Sequence, residues 1–340
     1  MRGIGPYVLT RIALMIPMLW VLLTLVFTIL HILPGDPCVA MLGGRNVTAE
    51  SLADCRRILG LDRPVAVQYG EYLASVLRGD FGTSLRTGLP VLHELVLRLP
   101  ATLELAAAGM AVAVFLGMGS GILAARRAGS WVDHALRSLY VVSFALPVFW
   151  VGLVLLSAFA VGLRWLPVGG RLDPVLGAAF RPITGFVFLD ALLRADLAVF
   201  VSALRHLLLP AVTLGFVLSG FVGRMTRVSL LEVLRREYIT TARSKGLPER
   251  TVLFRHALRN ALVPIVTVIG LQFALLVGGA ILTETVFSWP GIARYLVEGI
   301  ENRDFPAIQG TVVFIALLIS ATSLAVDVLY AWLDPRVRYG

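Results

Sequence analysis

The stretch TARSKGLPERTVLFRHALRNALVP (residues 241–264) carries five positive charges and a histidine, and a Gly-Leu-Pro breaks it. It runs directly into IVTVIGLQFALLVGGAIL (265–282), which has no charge at all. A run of about 20 apolar residues at 1.5 Å rise matches the ~30 Å hydrocarbon core of a bilayer. The second stretch therefore reads as a membrane-crossing helix, and the first as a cationic, broken amphipathic segment beside it.

The rest of the chain agrees. With 58% hydrophobic and 15% charged residues and a mean hydropathy of +0.85, a water-soluble domain is excluded. Helices satisfy their own backbone hydrogen bonds in lipid, whereas a membrane barrel would show alternating segments of about 10 residues, a pattern not found here. An all-α polytopic protein is expected, with spans at Val8–Leu33, Pro100–Ala125, Ala135–Leu163, His206–Ser229, Leu262–Phe287 and Pro306–Trp332. The first span is longer than a signal-peptide core, and LPGDP follows it in place of a small-residue cleavage site, so it reads as an uncleaved anchor.

The net charge of +9 is read as a membrane bias and not as a nucleic-acid footprint. With both termini in the cytoplasm, sixteen basic and five acidic residues fall inside, against fourteen and thirteen outside. That is the positive-inside pattern. Outside then lie residues 34–99, where TAESLADCRRILG begins on the capping residue Thr48 and ends on Gly60. PVAVQYGEYLASVLRGD starts on Pro64, a first-turn proline. VLHELVLRL places Val91, Leu92, Leu95, Val96 and Leu99 on one face, as an interfacial helix leading into the second span would. A small helical extracytoplasmic cap is expected there. The division is 1–95 for the first span and cap, and 96–335 for the transmembrane domain. Cys38 and Cys55, the only two cysteines, lie in the cap as a disulfide or as two packed thiols.

Catalytic chemistry is missing. There is no G-x-x-x-x-G-K-[ST] phosphate loop, no telling Ser/His/Asp spacing and no metal-ligand cluster. Three acids fall within spans, Glu104, Glu284 and Asp327, all near the ends, which favours snorkelling or helix pairing over a proton relay. Pro147 in SFALPVFWVG lies mid-span, where a proline kinks a helix. It is a candidate gate, or a static kink. Gly117, Gly119, Gly121, Gly278 and Gly279 are candidates for close helix approach.

The opening stretch belongs to a longer pattern. From Leu230 to Lys245, the residues Leu230, Leu231, Leu234, Tyr238, Thr241 and Ala242 recur on one helical face. Gly246 permits a left-handed end and Pro248 begins a second helix. The expectation is a helix–turn–helix against the membrane with its turn thrust into the cytoplasm. A basic loop bound to anionic lipid would explain the charges but not the Gly-Leu-Pro at the centre.

EYITTARSKGLPERTVLFRHALRNALVP (237–264) resembles the cytoplasmic E-A-A-x-x-x-G loop of permeases of binding-protein-dependent ABC importers. Thr240, Thr241 and Ala242 stand at the Glu-Ala-Ala positions and Gly246 at the glycine. His256, Ala257, Leu258 and Arg259 replace the usual Ile-x-Leu-Pro. These departures are similar to the dipeptide/oligopeptide branch. So are LPGDP (33–37), RGDFGTSL (78–85), RLPATLELA (98–106) and ETVFSWPGIARYLVEGIENRDFPAIQG (284–310), which together cover nearly the whole chain.

The resemblance implies a type I ABC importer transmembrane domain in a prokaryotic cytoplasmic membrane, paired with a second homologous permease. It also implies two ATPases that hold ATP and Mg, so that this chain carries no cofactor, and an external peptide-binding protein. The 237–259 part of a loop spanning about 231–260 would couple to the ATPases through Glu237, Tyr238, Thr240, Thr241, Ala242, Arg243, Lys245, Gly246, Leu247 and Pro248. Two alternatives stay open: nickel or glutathione on the same machine, and an ATP-independent channel or secondary transporter.

Overall fold

The computed structural model describes residues 4–32, 38–39, 48–58, 60–278 and 280–333, and among these there is no β-strand. In chain order, α1 (Ile4–Ile32) leads to α2 (Ala49–Ile58) and α3 (Val65–Leu77). Next come α4 (Val91–Arg126), a bent pair α5 (Trp131–Ala145) and α6 (Val148–Gly162), the short α7 (Pro174–Ala179) and α8 (Val187–Leu193), and α9 (Leu197–Leu234). The polar α10 (Glu237–Ser244) precedes α11 (Glu249–Val277), short α12 (Ile281–Val286) and α13 (Ile292–Glu301), and finally α14 (Phe305–Leu333). Helices α1, α4, α9, α11 and α14 are long and apolar enough to cross a membrane, and α5 with α6 makes a sixth candidate bent by 101°.

The core is the seam between α4 and α9. On α4, Leu105, Gly109, Ala113, Gly117, Gly121 and Ala125 are all buried at four-residue steps, so each lies beside the next in one slowly winding row. Small residues let backbones approach. Gly109 faces Leu214, Gly117 faces Val222 and Gly121 faces Thr226. A Cβ on Gly117 or Gly121 would come within 2.7 or 2.6 Å of the facing side chain. In every pair the α9 residue number is larger by 105, so the two helices run parallel.

Parallel spans oblige the chain between them to cross back. Asp133 meets Arg227, Tyr140 and Ser143 lie against Gly220, Gly152 lies against Thr213, and Ala160 packs with Leu209. Numbers rise along α5–α6 as they fall along α9. The stretch of α9 from Leu209 to Arg227 is roughly 27 Å long, close to the hydrocarbon thickness. The bent pair therefore has the reach of one broken span, which makes it the sixth candidate among the described residues.

The structure corrects several sequence expectations. Pro147 lies inside no helix: Leu146 is extended (ψ 133°) and ends α5, and Pro147 (φ −60°, ψ 129°) caps α6. A residue before proline avoids the helical region, so the expected kink becomes a break. VLHELVLRL is no separate interfacial helix but the first turns of α4, with Val91 and Leu95 packed on Ile292, Tyr295 and Ala307. The helix that carries the fourth span starts at Leu197, nine residues before His206, where Asp196 accepts from Val199 N at 3.0 Å. Pro100 and Pro210 lie within α4 and α9, and neighbouring helices make such interior prolines tolerable in spans. The fifth span stops at Val277, before α12. Gly278 lies against Ile319 of α14, Gly119 meets nothing within 4 Å, and Gly279 is outside the described residues.

Each end of the bundle gathers distinct segments. Arg11 of α1 pairs with Asp327 of α14 at 3.3 Å, and α11 runs antiparallel to α14, with Gly270 against Val326. The first turns of α1 and α11 and the last turns of α14 and α9 therefore share one end, the turn end. The cap end holds α2, α3, α7, α8, α12 and α13. There Thr24 and the Tyr69 hydroxyl of α3 lie 2.6 Å apart in a hydrogen bond, and Ser84 donates to Asp304 at 2.6 Å. Pro64 stands one residue before α3, outside the first helical position expected for it.

Candidate functional site at the 237–248 turn

At the turn end the chain leaves α9 at Leu234, passes through extended Arg236 (φ −75°, ψ 145°) and re-enters a helix at Glu237. The single amphipathic helix expected over Leu230–Lys245 is thus two. The break shifts the helical phase, so the buried face of α10 is Ile239 and Ala242, while Tyr238, Thr240 and Thr241 are exposed. Arg-Arg-Glu holds no proline or glycine to announce a break. What it offers is Glu237 in the first turn, where a helix N-terminus favours an acid.

Helix α10 ends in a Schellman motif. Gly246 N donates to Arg243 O at 2.9 Å and Leu247 N to Ala242 O at 3.4 Å, with Gly246 at φ +74°. Pro248 then caps α11. Arg243 brackets the turn by pairing bidentately with Glu249, at 3.1 and 2.7 Å. Thr241 Oγ1 donates to Glu237 O at 3.1 Å. Ile239 and Ala242 join one apolar cluster with Leu230 of α9, Ala125 of α4, and Val252, Leu253, Ala257 and Ala261 of α11. The turn is thereby fixed to three spans. Its outward face carries exposed Thr240, Thr241, Arg243, Lys245, Gly246, Leu247 and Pro248. Residues Val252–Leu258 are π-helical, a form that recurs at functional sites.

A second element was counted in the sequence only as charge. Asp133, buried at the start of α5, accepts from Arg227 Nε and Nη2 at 2.5 and 2.7 Å and from Gly129 N at 3.0 Å. It ties α5 to α9 just short of the turn. Beside it a groove of about 560 Å³ is lined by His134, Arg137, Tyr140, Phe144 and Arg224. No linear motif joins residues 133 and 227. The other sequence-picked residues lie elsewhere: Pro147 is in mid-bundle, and Cys38 is buried, while the side chain of Cys55 is outside the described residues. The three span acids all have partners. Glu104 pairs with Arg171 at 2.5 Å, Asp327 pairs with Arg11, and Glu284 accepts from Thr102 Oγ1 and Arg294 N, each at 2.9 Å.

This geometry makes a rigid projection on a bundle of candidate spans. Residues 117–339 match the family described as binding-protein-dependent transport system inner membrane component, and residues 6–106 match the N-terminal model of the same component. Among the similar proteins is the di/tripeptide transport system permease protein DppB of Pseudomonas aeruginosa, 42% identical over 98% of each chain. The dipeptide transport system permease protein DppB of Escherichia coli K12 has the same identity and coverage. The probable D,D-dipeptide transport system permease protein DdpB of E. coli K12 is 44% identical over 92% of each chain. With two thirds of its length under one family model and these relatives along nearly all of it, the chain belongs to the inner-membrane permease components of binding-protein-dependent transport systems.

Proposed function

We propose that the chain is one permease of an ATP-driven importer of di- and oligopeptides, driven through the 237–248 turn by separate ATPase subunits. The names of its relatives support the substrate class. The observation that carries the coupling is the turn itself: α10 is held by Ile239 and Ala242 to α9, α4 and α11, while Thr241, Arg243, Lys245 and Leu247 face outward. The excess of basic residues at the turn end supports setting it on the cytoplasmic face.

When ATP closes the two partner ATPases, the groove holding the turn moves, and α9 and α11 move with it. The glycine seam makes α4 and α9 one body. The break at Leu146–Pro147 is where α5 and α6 change angle as access alternates from one side to the other. A second, homologous permease completes the pathway, and a peptide-binding protein docks on the cap and the 288–305 segment. ATP and Mg stay on the partner ATPases. Cys38 pairs with Cys55 in the cap, a reading supported by the disulfide on Cys38 in a chain with only two cysteines.

Uptake of a labelled dipeptide by cells with and without the chain tests the substrate, with longer peptides, glutathione and nickel as competitors. Competition by peptides alone is expected; competition by nickel or glutathione moves the substrate. Gly246→Val tests the coupling. A Cβ at Gly246 meets nothing within 4 Å, so the variant acts only through about 1–2 kcal/mol of left-handed backbone strain. Loss of uptake with membrane insertion and complex assembly preserved is expected, and unchanged stimulated uptake overturns the assignment.

A further inference from the structure

The segment between α6 and α9 is rich in Pro and Gly. It is nonetheless a built unit. Val187, Ala191, Val199 and Ala203 form its core, with Leu172, Phe180, Phe188 and Phe200 around them. Buried Asp190 accepts from Ile183 N, Thr184 N and Gly185 N at 2.9–3.1 Å and from Thr184 Oγ1 at 2.7 Å. Burial, the largest single influence, opposes its ionisation, but these donors together hold its carboxyl below the ordinary range. Arg171 staples the unit to α4 through Glu104 and also donates to Gly185 O at 2.8 Å.

The outside of this unit is the reverse of what water requires. On α8, Val187, Asp190 and Ala191 are buried, while Leu189, Leu192 and Leu193 face out. Leu192 is 65% exposed, Leu193 61%, Leu197 73% and Val175 78%. All but Leu197, which opens α9, lie outside the spanning segments, so a position within the hydrocarbon core does not account for them.

We infer that residues 164–197 form an in-plane platform whose leucine face is set into the lipid–water interface at the cap end. Three observations select lipid as the occupant. The face is continuous with a spanning surface, since Leu197, Val201, Leu204 and Leu208 are exposed at steps of four, three and four along α9 into the membrane. Arg181, Arg194 and Arg205, in or beside the same segment, are exposed as well, as the cations of an interfacial amphipathic segment are. Trp165 is exposed at the end of α6, and Arg205 donates to its carbonyl at 3.0 Å; tryptophan favours that depth. A soluble partner that docks and leaves needs no surface more apolar than average. The platform would resist tilting of α6 and α9 at the end remote from the turn. The inference rests on the packing of the spans and is independent of what the protein transports.

Photocrosslinking in the assembled complex, reconstituted in phospholipid nanodiscs, tests it. p-Benzoylphenylalanine replaces Leu193 in one variant and Val175 in another, with Thr87 of the cap as the water-facing control. Phospholipid adducts, identified by mass after irradiation, are expected as the dominant product at Leu193 and Val175 and at background at Thr87. Adducts mainly to the partner permease or to the binding protein overturn the inference in favour of a protein interface. Adducts no more abundant than at Thr87 overturn it in favour of water.

Discussion

The cap end and the turn end treat their charges in opposite ways. At the cap end Glu284, Asp304 and Asp190 are buried, and each is surrounded by donors from its own chain. Thr102 shows how tightly: its Oγ1 donates to Glu284 and accepts from Ile292 N, while Trp289 Nε1 donates to Ala101 O at 2.8 Å. Residues 284–295 are thereby knotted onto two residues of α4. At the turn end the Arg243–Glu249 pair is solvated on both sides, and Thr240, Lys245 and Leu247 turn outward. One end completes itself; the other presents a rigid shape and leaves its surface groups to something else. Asp133–Arg227 is the exception, a buried clamp at the turn end.

The sharpest way to break this contrast is Gly291→Ala. Its Cβ would fall 2.3 Å from the buried Glu284 carboxyl, displacing it from Thr102 and from Arg294 N. A loss of about 3 kcal/mol is expected from overpacking plus an unsatisfied carboxylate, read as a drop in thermal midpoint in detergent. Asp133→Ala should cost nearly as much, about 3 kcal/mol, because it strands the largely buried Arg227 guanidinium. An unchanged midpoint would show that the clamp is ornamental.

A third test uses pH. Burial pushes the Glu284 carboxyl up from 4.5 to about 7. The folded state then keeps the proton that the unfolded state has released. The stabilisation is complete below about 4.5 and is lost as pH rises through about 7, by on the order of 3 kcal/mol at 1.36 kcal/mol per unit. Hydrogen exchange over residues 284–301 should quicken across that window in the native chain and stay level in Glu284→Gln. The smallest effect is expected from Arg243→Ala, about 0.5 kcal/mol, since both partners are exposed. A stability loss as large as that of Gly291→Ala would erase the distinction between the ends.

Much of this was legible in residues. Apolar run length gave the class and six candidate spans, because crossing the hydrocarbon core takes about 20 predominantly apolar residues. Gly246 announced the turn, because only a left-handed position ends α10 there. The break at Pro147 is local, but most misses share another cause, which is that partners distant in number decide local geometry. VLHELVLRL looked like a surface helix until Ile292 and Tyr295 covered Val91 and Leu95. The break at Arg235–Arg236 and the buried role of Ile239 follow from packing on α4 and α11, which no nearby residue signals. Glu284 read as a span residue because its run is apolar, yet Gly278 ends α11 and the chain turns to meet Thr102.

The constant offset of 105 between α4 and α9 also has a meaning in time. The two faces of the seam leave the ribosome in sequence, the glycine stripe first and its match 105 residues later. At about 5–20 residues per second, that is on the order of 5–20 seconds. Throughout that interval the bare stripe of Gly109, Gly117 and Gly121 stands in the membrane beside lipid or the insertion machinery, and α5 and α6 must enter without occupying it. The stripe is thus an appointment kept across a delay, and whatever shields it in the meantime must be weaker than α9.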